Sequence, residues 1–208
     1  MNRSARRRLA RFGTIGLTLV AGIAIGAAAT ARTAQPEGDW GEMSPEDRAW
    51  MEAGMPGEKH RKLDSMAGDW SSTSWWQMDP ESERIPGSGD ANHEWIFDGR
   101  FMAMHFEGNM AGMDLEGHGV VGYDNIRQQY FSIWLDSMST GAYVDYGQMR
   151  EDGVLEFQGE MTDPLTKDKF KTISTTDLRD PDKIIMDFWF LDDKGEKFHS
   201  GHMEFTRD

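Results

Sequence analysis

Residues 91–107 read Ala-Asn-His-Glu-Trp-Ile-Phe-Asp-Gly-Arg-Phe-Met-Ala-Met-His-Phe-Glu, and this stretch decides the fold. Polar and apolar residues alternate on both sides of Asp98-Gly99, and an Asp-Gly pair between alternating runs marks a tight hairpin. One strand is expected at about 91–97 and its partner at 100–107.

The same period of two recurs outward from this hairpin. On the N-terminal side, Gly68-Asp69-Trp70 opens a strand that Asp79-Pro80 closes, and a Pro/Gly/Ser-rich loop at 80–90 leads into the hairpin. On the C-terminal side, alternating runs occupy 114–123, 128–136, 140–148, 153–161, 168–177, 183–191 and 196–206. Turn residues separate them at Asp124-Asn125, Asp152-Gly153, Asp163-Pro164, Asp180-Pro181 and Lys194-Gly195. Short strands with hairpin-length links and little helix predict an all-β, antiparallel fold of about ten strands, an up-and-down barrel or a sandwich. Eight strands enclose at most one small ligand and diameter grows with strand number, so about ten strands tend to leave a cavity.

The N-terminus differs in kind. Arg3, Arg6, Arg7, Arg8 and Arg11 precede an apolar or small run from Phe12 to Ala29, followed by small residues with Ala-x-Ala spacing. A basic head, apolar middle and small-residue end form a secretory signal, so residues 1–31 are expected to be cleaved and the mature chain to lie outside the cytoplasm. Contact with a membrane is expected only through an uncleaved signal. Residues 32–55 read as a tether and short helix, and 56–208 as the barrel domain. Cleavage removes five of 22 basic residues and none of 36 acids, deepening a net charge of −14 by five. Such a surface repels nucleic acid. With no cysteine, stability must come from packing, for which eight Trp, eleven Phe and fifteen Met are available.

Two short helices are expected before the barrel. Ser44 caps the first, Pro45 takes its first position, and the helix runs to about Ala53 before Gly54 and Pro56. The second spans about Gly57–Met66, with His60, Leu63 and Met66 on one side.

Alternation also assigns faces. Trp70, Ser72, Ser74 and Trp76 share one face, as do Met102, Met104 and Phe106; Leu155, Phe157 and Met161; Met186, Phe188 and Phe190; and His199, Gly201, Met203 and Phe205. In the run 130–136 both faces are candidates. An interior of Met, Phe and Trp with a few hydroxyls suits a small apolar or amphipathic ligand; a solid core is the alternative. The expected lining is Trp70, Met104, Phe106, Tyr123, Trp134 and Met203, with Arg100 and Asp136 as paired polar anchors. Asp136 has a second reading as a turn cap through Ser137 and Thr140.

Residues 56–208 resemble the bacterial lipocalin-like family known as domain of unknown function 1579. Pro56-Gly57-Glu58 with His60 and Leu63, Gly68-Asp69-Trp70, Gly99-Arg100-Phe101 and Phe106-Glu107-Gly108 carry the resemblance. Glu116-Gly117, Gly122-Tyr123-Asp124-Asn125, Trp134-Leu135-Asp136-Ser137-Met138 with Thr140-Gly141, and Gly159-Glu160-Met161 with Asp163-Pro164 continue it. The resemblance implies the barrel and leaves activity open. The wider lipocalin-like group further implies that Arg207, at the end of the last strand, crosses Trp70 of the Gly-x-Trp. Some barrels of that group hold haem through a late-strand histidine, which makes His199 with Met203 a haem candidate.

The remaining histidines suggest little chemistry. His199 and His202, three apart on a strand, are expected on opposite faces. His93, His105 and His118 are expected to face solvent, and His60 to pack near the barrel mouth. No Gly-x-Ser-x-Gly elbow, His-Glu-x-x-His or phosphate loop is present. Non-catalytic binding is therefore the expected role, with an enzyme using Asp136 as base, or a solid interaction module, as alternatives.

Overall fold

The computed structural model describes residues 43–192 and 194–208. The expected signal and most of the tether lie outside these residues. Helix α1 spans Pro45–Ala53, α2 spans Glu58–Arg61, and a 3-10 turn follows at Asp64–Met66. Ten strands come next: β1 Gly68–Trp76, β2 Ile85–Ile96, β3 Phe101–Met110, β4 Met113–Asp124 and β5 Gln129–Asp136. The series ends with β6 Tyr143–Met149, β7 Val154–Thr162, β8 Lys169–Asp177, β9 Lys183–Leu191 and β10 Lys197–Arg207. Each strand pairs antiparallel with its sequence neighbour, and β10 pairs with β1, so the sheet closes into a barrel. Among the described residues, closure leaves no unpaired edge strand.

The first helix forms as its sequence dictates. Ser44 Oγ accepts the Asp47 amide at 3.1 Å, satisfying one of the orphan donors of the first turn. The expected second helix splits in two, because Leu63 leaves helical geometry at φ −93°, ψ 0°. The 3-10 turn lets the chain swing into β1 through Gly68, at φ +137°, while His60, Leu63 and Met66 stay buried together.

One expected loop is largely strand. Gly87 and Gly89 lie within β2, paired with Ser74 and Ser72 of β1 and with Met110 and Gly108 of β3. The glycines read as loop signals are wall positions: a Cβ at Gly89 would strike the Phe106 ring at 2.6 Å. The expected hairpin is present as a four-residue turn at 97–100, with Phe97, Asp98 and Gly99 all at positive φ.

The two ends of the barrel differ. The helices cover the end where β1 starts. There Asn125 Nδ2 donates to the carbonyls of Ala53 and Met55 (3.0 and 2.8 Å), Tyr130 Oη to that of Lys59 (2.9 Å), and Arg100 Nε to that of Gly54 (2.9 Å). Leu63, Trp70, Met102, Tyr130, Leu155 and Ile184 form a fully buried layer beneath this cover. At the opposite end the inward residues Trp76, Trp134, Phe188, Phe190 and Met203 are only half-buried.

Candidate functional site

The inner wall combines glycines with rings. Alternation places Gly117 and Gly119 of β4 inward, and the Trp134 indole of β5 covers both; Met104 closes over Gly119 from β3. Trp76 likewise covers Gly201, Phe106 covers Gly89 and Gly108, and Phe157 covers Gly147. Pairing large rings with missing side chains lets the rings lie against the backbone, a common device for shaping a barrel interior.

The expected lining residues separate into two groups. Met104, Phe106, Trp134 and Met203 face the interior toward the end opposite the helices, Met203 opposite Ser74 and Met186. Trp70 and Tyr123 belong to the covered end. Trp70 is fully buried, and Tyr123 meets His60 and Tyr130 edge-to-face at 5.9 and 4.9 Å.

The expected Arg100–Asp136 pair does not form. Arg100 sits where β3 begins, spent on the carbonyls of Gly54 and Phe97. Asp136 ends β5 opposite Gly117, several residues along the wall. Its carboxylate accepts Trp134 Nε1 at 3.0 Å and the Met138 amide at 2.9 Å, so it fixes the indole and caps the turn. The turn-capping reading holds, with Met138 as the donor in place of Ser137 and Thr140.

A different acid occupies the interior. Asp145 of β6 faces inward, paired with Ser132 of β5, and leans across the barrel wall above Gly159 of β7 toward Thr172 of β8. Burial alone raises its carboxyl above the ordinary aspartate value. Among the described residues its side chain has no hydrogen bond or ion pair. The hydroxyls of Ser132, Thr172 and Ser174 share its face. The signal was legible in the alternation of Tyr143, Asp145, Gly147 and Met149, once the register of β6 is fixed by Gly147 against Tyr130.

The histidines also fall differently from expectation. His93 is buried inside the barrel, between Trp70 and Phe205, and its Nδ1 donates to the Met66 carbonyl at 3.1 Å. Trp70 Nε1 donates to the same oxygen at 2.8 Å. Burial, reinforced by the nearby Arg207 charge and only partly offset by that hydrogen bond, lowers the His93 pKa to about 4. His60 is lowered too, chiefly by burial. His105 and His118 face outward as expected.

His199 and His202 meet on one face. The register shifts between His199 and Gly201, and this bulge at Ser200 adds the residue that brings both imidazoles outward. His199 Nε2 and His202 Nδ1 each lie 2.8 Å from Asp187 Oδ1, between Trp75 and Trp189. Met203 points the other way, so His199 and Met203 cannot grip one haem iron between them.

Two hollows of about 530 and 400 Å³ lie outside the wall. One is bounded by Asp177, Arg179 and Lys183, the other by Tyr146, Gln148 and Gln158. Of the inward positions, only the backbone of Gly147 borders one of them.

The barrel has relatives among solved structures. The S-type phycobiliprotein lyase CPES from Guillardia theta superposes with a TM-score of 0.51 at 13% identity, over 76% of this chain and 96% of that one. Rv2717c from M. tuberculosis gives a TM-score of 0.51 at 10% identity, over 74% and 99%. At these identities the likeness is one of fold. No curated protein matches the sequence. The model of the family described as Protein of unknown function (DUF1579) matches residues 55–207, the entire barrel with its covering turn, and the chain belongs to that family.

Proposed function

We propose that the chain is exported and that its barrel carries a small amphipathic molecule, bound without covalent chemistry. The apolar body of the guest rests among Trp76, Met104, Trp134, Phe188 and Met203. A hydrogen-bond-donating or cationic end meets Asp145. The observation that carries this reading is Asp145 itself: a half-buried carboxylate facing the interior with no partner among the described residues. Unpaired buried charge is costly, and perturbed carboxyls inside concavities concentrate where ligands bind. The half-buried inward rings offer the apolar surface that small-molecule sites require. Asp136, whose oxygens hold Trp134 and Met138, is poorly placed to act as a base, which favours carriage over turnover. The S-type phycobiliprotein lyase, a protein of a different sequence, shares the fold.

Native mass spectrometry of the full chain expressed in its own host tests both parts. The expected result is a mature mass lacking about the first 31 residues, as a cleaved signal requires, together with an added small-molecule mass. That added mass should vanish in Asp145→Asn. Bare protein in the wild type, or a guest retained equally by Asp145→Asn, would overturn the assignment.

A further inference from the structure

On the outer wall, β3 and β4 bring together two cross-strand pairs. His105 stands opposite His118, and Glu107 stands opposite Glu116. All four side chains face away from the interior, because Met104 and Phe106 of β3 and Gly117 and Gly119 of β4 face in. The imidazoles are stacked, centroids 4.6 Å apart and planes within 7°. Their Nε2 atoms lie 3.8 Å (His105) and 3.4 Å (His118) from Glu116 Oε1, and His105 Nε2 lies 3.7 Å from Glu107 Oε1.

We propose that this outer face of the β3–β4 hairpin binds one divalent transition-metal ion of the zinc class, through His105, His118 and Glu116, with Glu107 as the fourth ligand.

Three features point to an ion. One donor atom each from His105, Glu116 and His118 lies within 4.8 Å of the others. Ligands 2.0–2.1 Å from a tetrahedral Zn²⁺ stand about 3.3 Å apart, so modest rotation of partly exposed side chains closes the set. His105 Nε2 is sealed from solvent yet has no hydrogen-bond partner, leaving a lone pair or proton unsatisfied. Glu107 and Glu116 oppose each other directly across the strands, a like-charge pairing that opposes the hairpin until a cation lies between them.

Donor chemistry selects the metal. Two imidazoles and one or two carboxylates suit Zn²⁺, Cu²⁺ or Ni²⁺, whereas Ca²⁺ and Mg²⁺ take oxygen ligands. The second outer cluster makes the contrast. There Asp187 Oδ1 already accepts from both His199 and His202 at 2.8 Å, so its donors satisfy one another. At the β3–β4 site the histidine and glutamate donors stand 3.4–3.8 Å apart, too far for hydrogen bonds between them.

Isothermal titration of the chelator-treated, untagged full chain with ZnCl₂ tests the assignment. One Zn²⁺ per chain with micromolar affinity is expected, and zinc should raise the melting temperature. His105→Ala and His118→Ala should each weaken binding at least about tenfold and abolish the melting shift, as loss of a ligand from so small a set requires. His202→Ala should bind zinc as the wild type does. Melting of each variant without metal, expected near the wild-type value for these outward positions, separates lost ligation from lost fold. No wild-type binding below millimolar zinc, unchanged affinity in both His105→Ala and His118→Ala, or loss in His202→Ala would overturn the site.

Discussion

The guanidinium of Arg207 lies 4.1 Å above the Trp70 indole, and strand pairing sets these two residues directly opposite each other where the last strand joins the first. The same guanidinium donates to the carbonyls of Ser65, Ala67 and Pro181. It thus ties the covering turn, the seam and the β8–β9 turn at one point. It also fills the space a side chain would need at Gly68.

Trp70→Ala and Arg207→Ala should therefore each lower the melting temperature, the first more severely. Emptying a buried tryptophan site costs about 3–5 kcal/mol, while the cation–π contact contributes about 0.5–2 kcal/mol. A double-mutant cycle by chemical denaturation should return a coupling within the second range. Strict additivity would show that the stacked geometry contributes nothing to closure.

Acid should weaken the fold through His93. Its pKa is about 4 in the folded chain against 6.5 when exposed. Between these values the unfolded chain binds a proton that the native chain refuses. The His93 contribution is thus complete above pH 6.5 and is lost as pH falls toward 4; a shift of that size corresponds to roughly 3 kcal/mol. His60 is lowered as well and steepens the same slope. Urea unfolding from pH 7.5 to 4 should show a shallower decline in His93→Gln; identical slopes would remove His93 as the cause.

The interior carboxylate should act in the opposite sense. Because burial raises the folded pKa of Asp145, its ionised form destabilises the native state as pH rises through the carboxylate range. Asp145→Asn should raise the melting temperature at neutral pH, with the gain fading in acid. Each kcal/mol recovered corresponds to about 2–4 °C for a domain of this size. A variant that melts lower than the wild type at neutral pH would mean that the carboxylate is held by favourable contacts.

Asn125 should matter for the cover. Its single amide bridges the Ala53 and Met55 carbonyls, and Asn125→Ala frees both. A loss of about 1–3 kcal/mol is expected for two broken hydrogen bonds, along with faster proteolysis around residues 53–57 than within the strands. Unchanged cleavage there would show that Tyr130 and Arg100 hold the cover alone.

Strand number and order were legible in the sequence, because period-two runs and turn residues are local signals; the Arg207–Trp70 crossing was implied by the resemblance to the lipocalin-like group. The site was less legible, for reasons that can be named residue by residue. Arg100 and Asp136 are both near turns, but strand direction puts those turns at different ends of the barrel. His199 and His202 obey alternation until one extra residue at Ser200 reverses it, and a bulge has no local signature here. His93 alternates like an outward residue only if Trp95 and Ala91 are also read as outward; its burial depends on the β1 register. Asp145, an acid among tyrosines, reads as solvent-facing until β5 and β7 enclose it.

The inner surface of this barrel is shaped at positions that carry no side chain. Trp134 rests in the hollow left by Gly117 and Gly119, and Trp76 in that left by Gly201. A single added methyl at any of these sites would push an entire indole off its backing. The shape of the interior can therefore change through glycine codons while every aromatic residue stays the same.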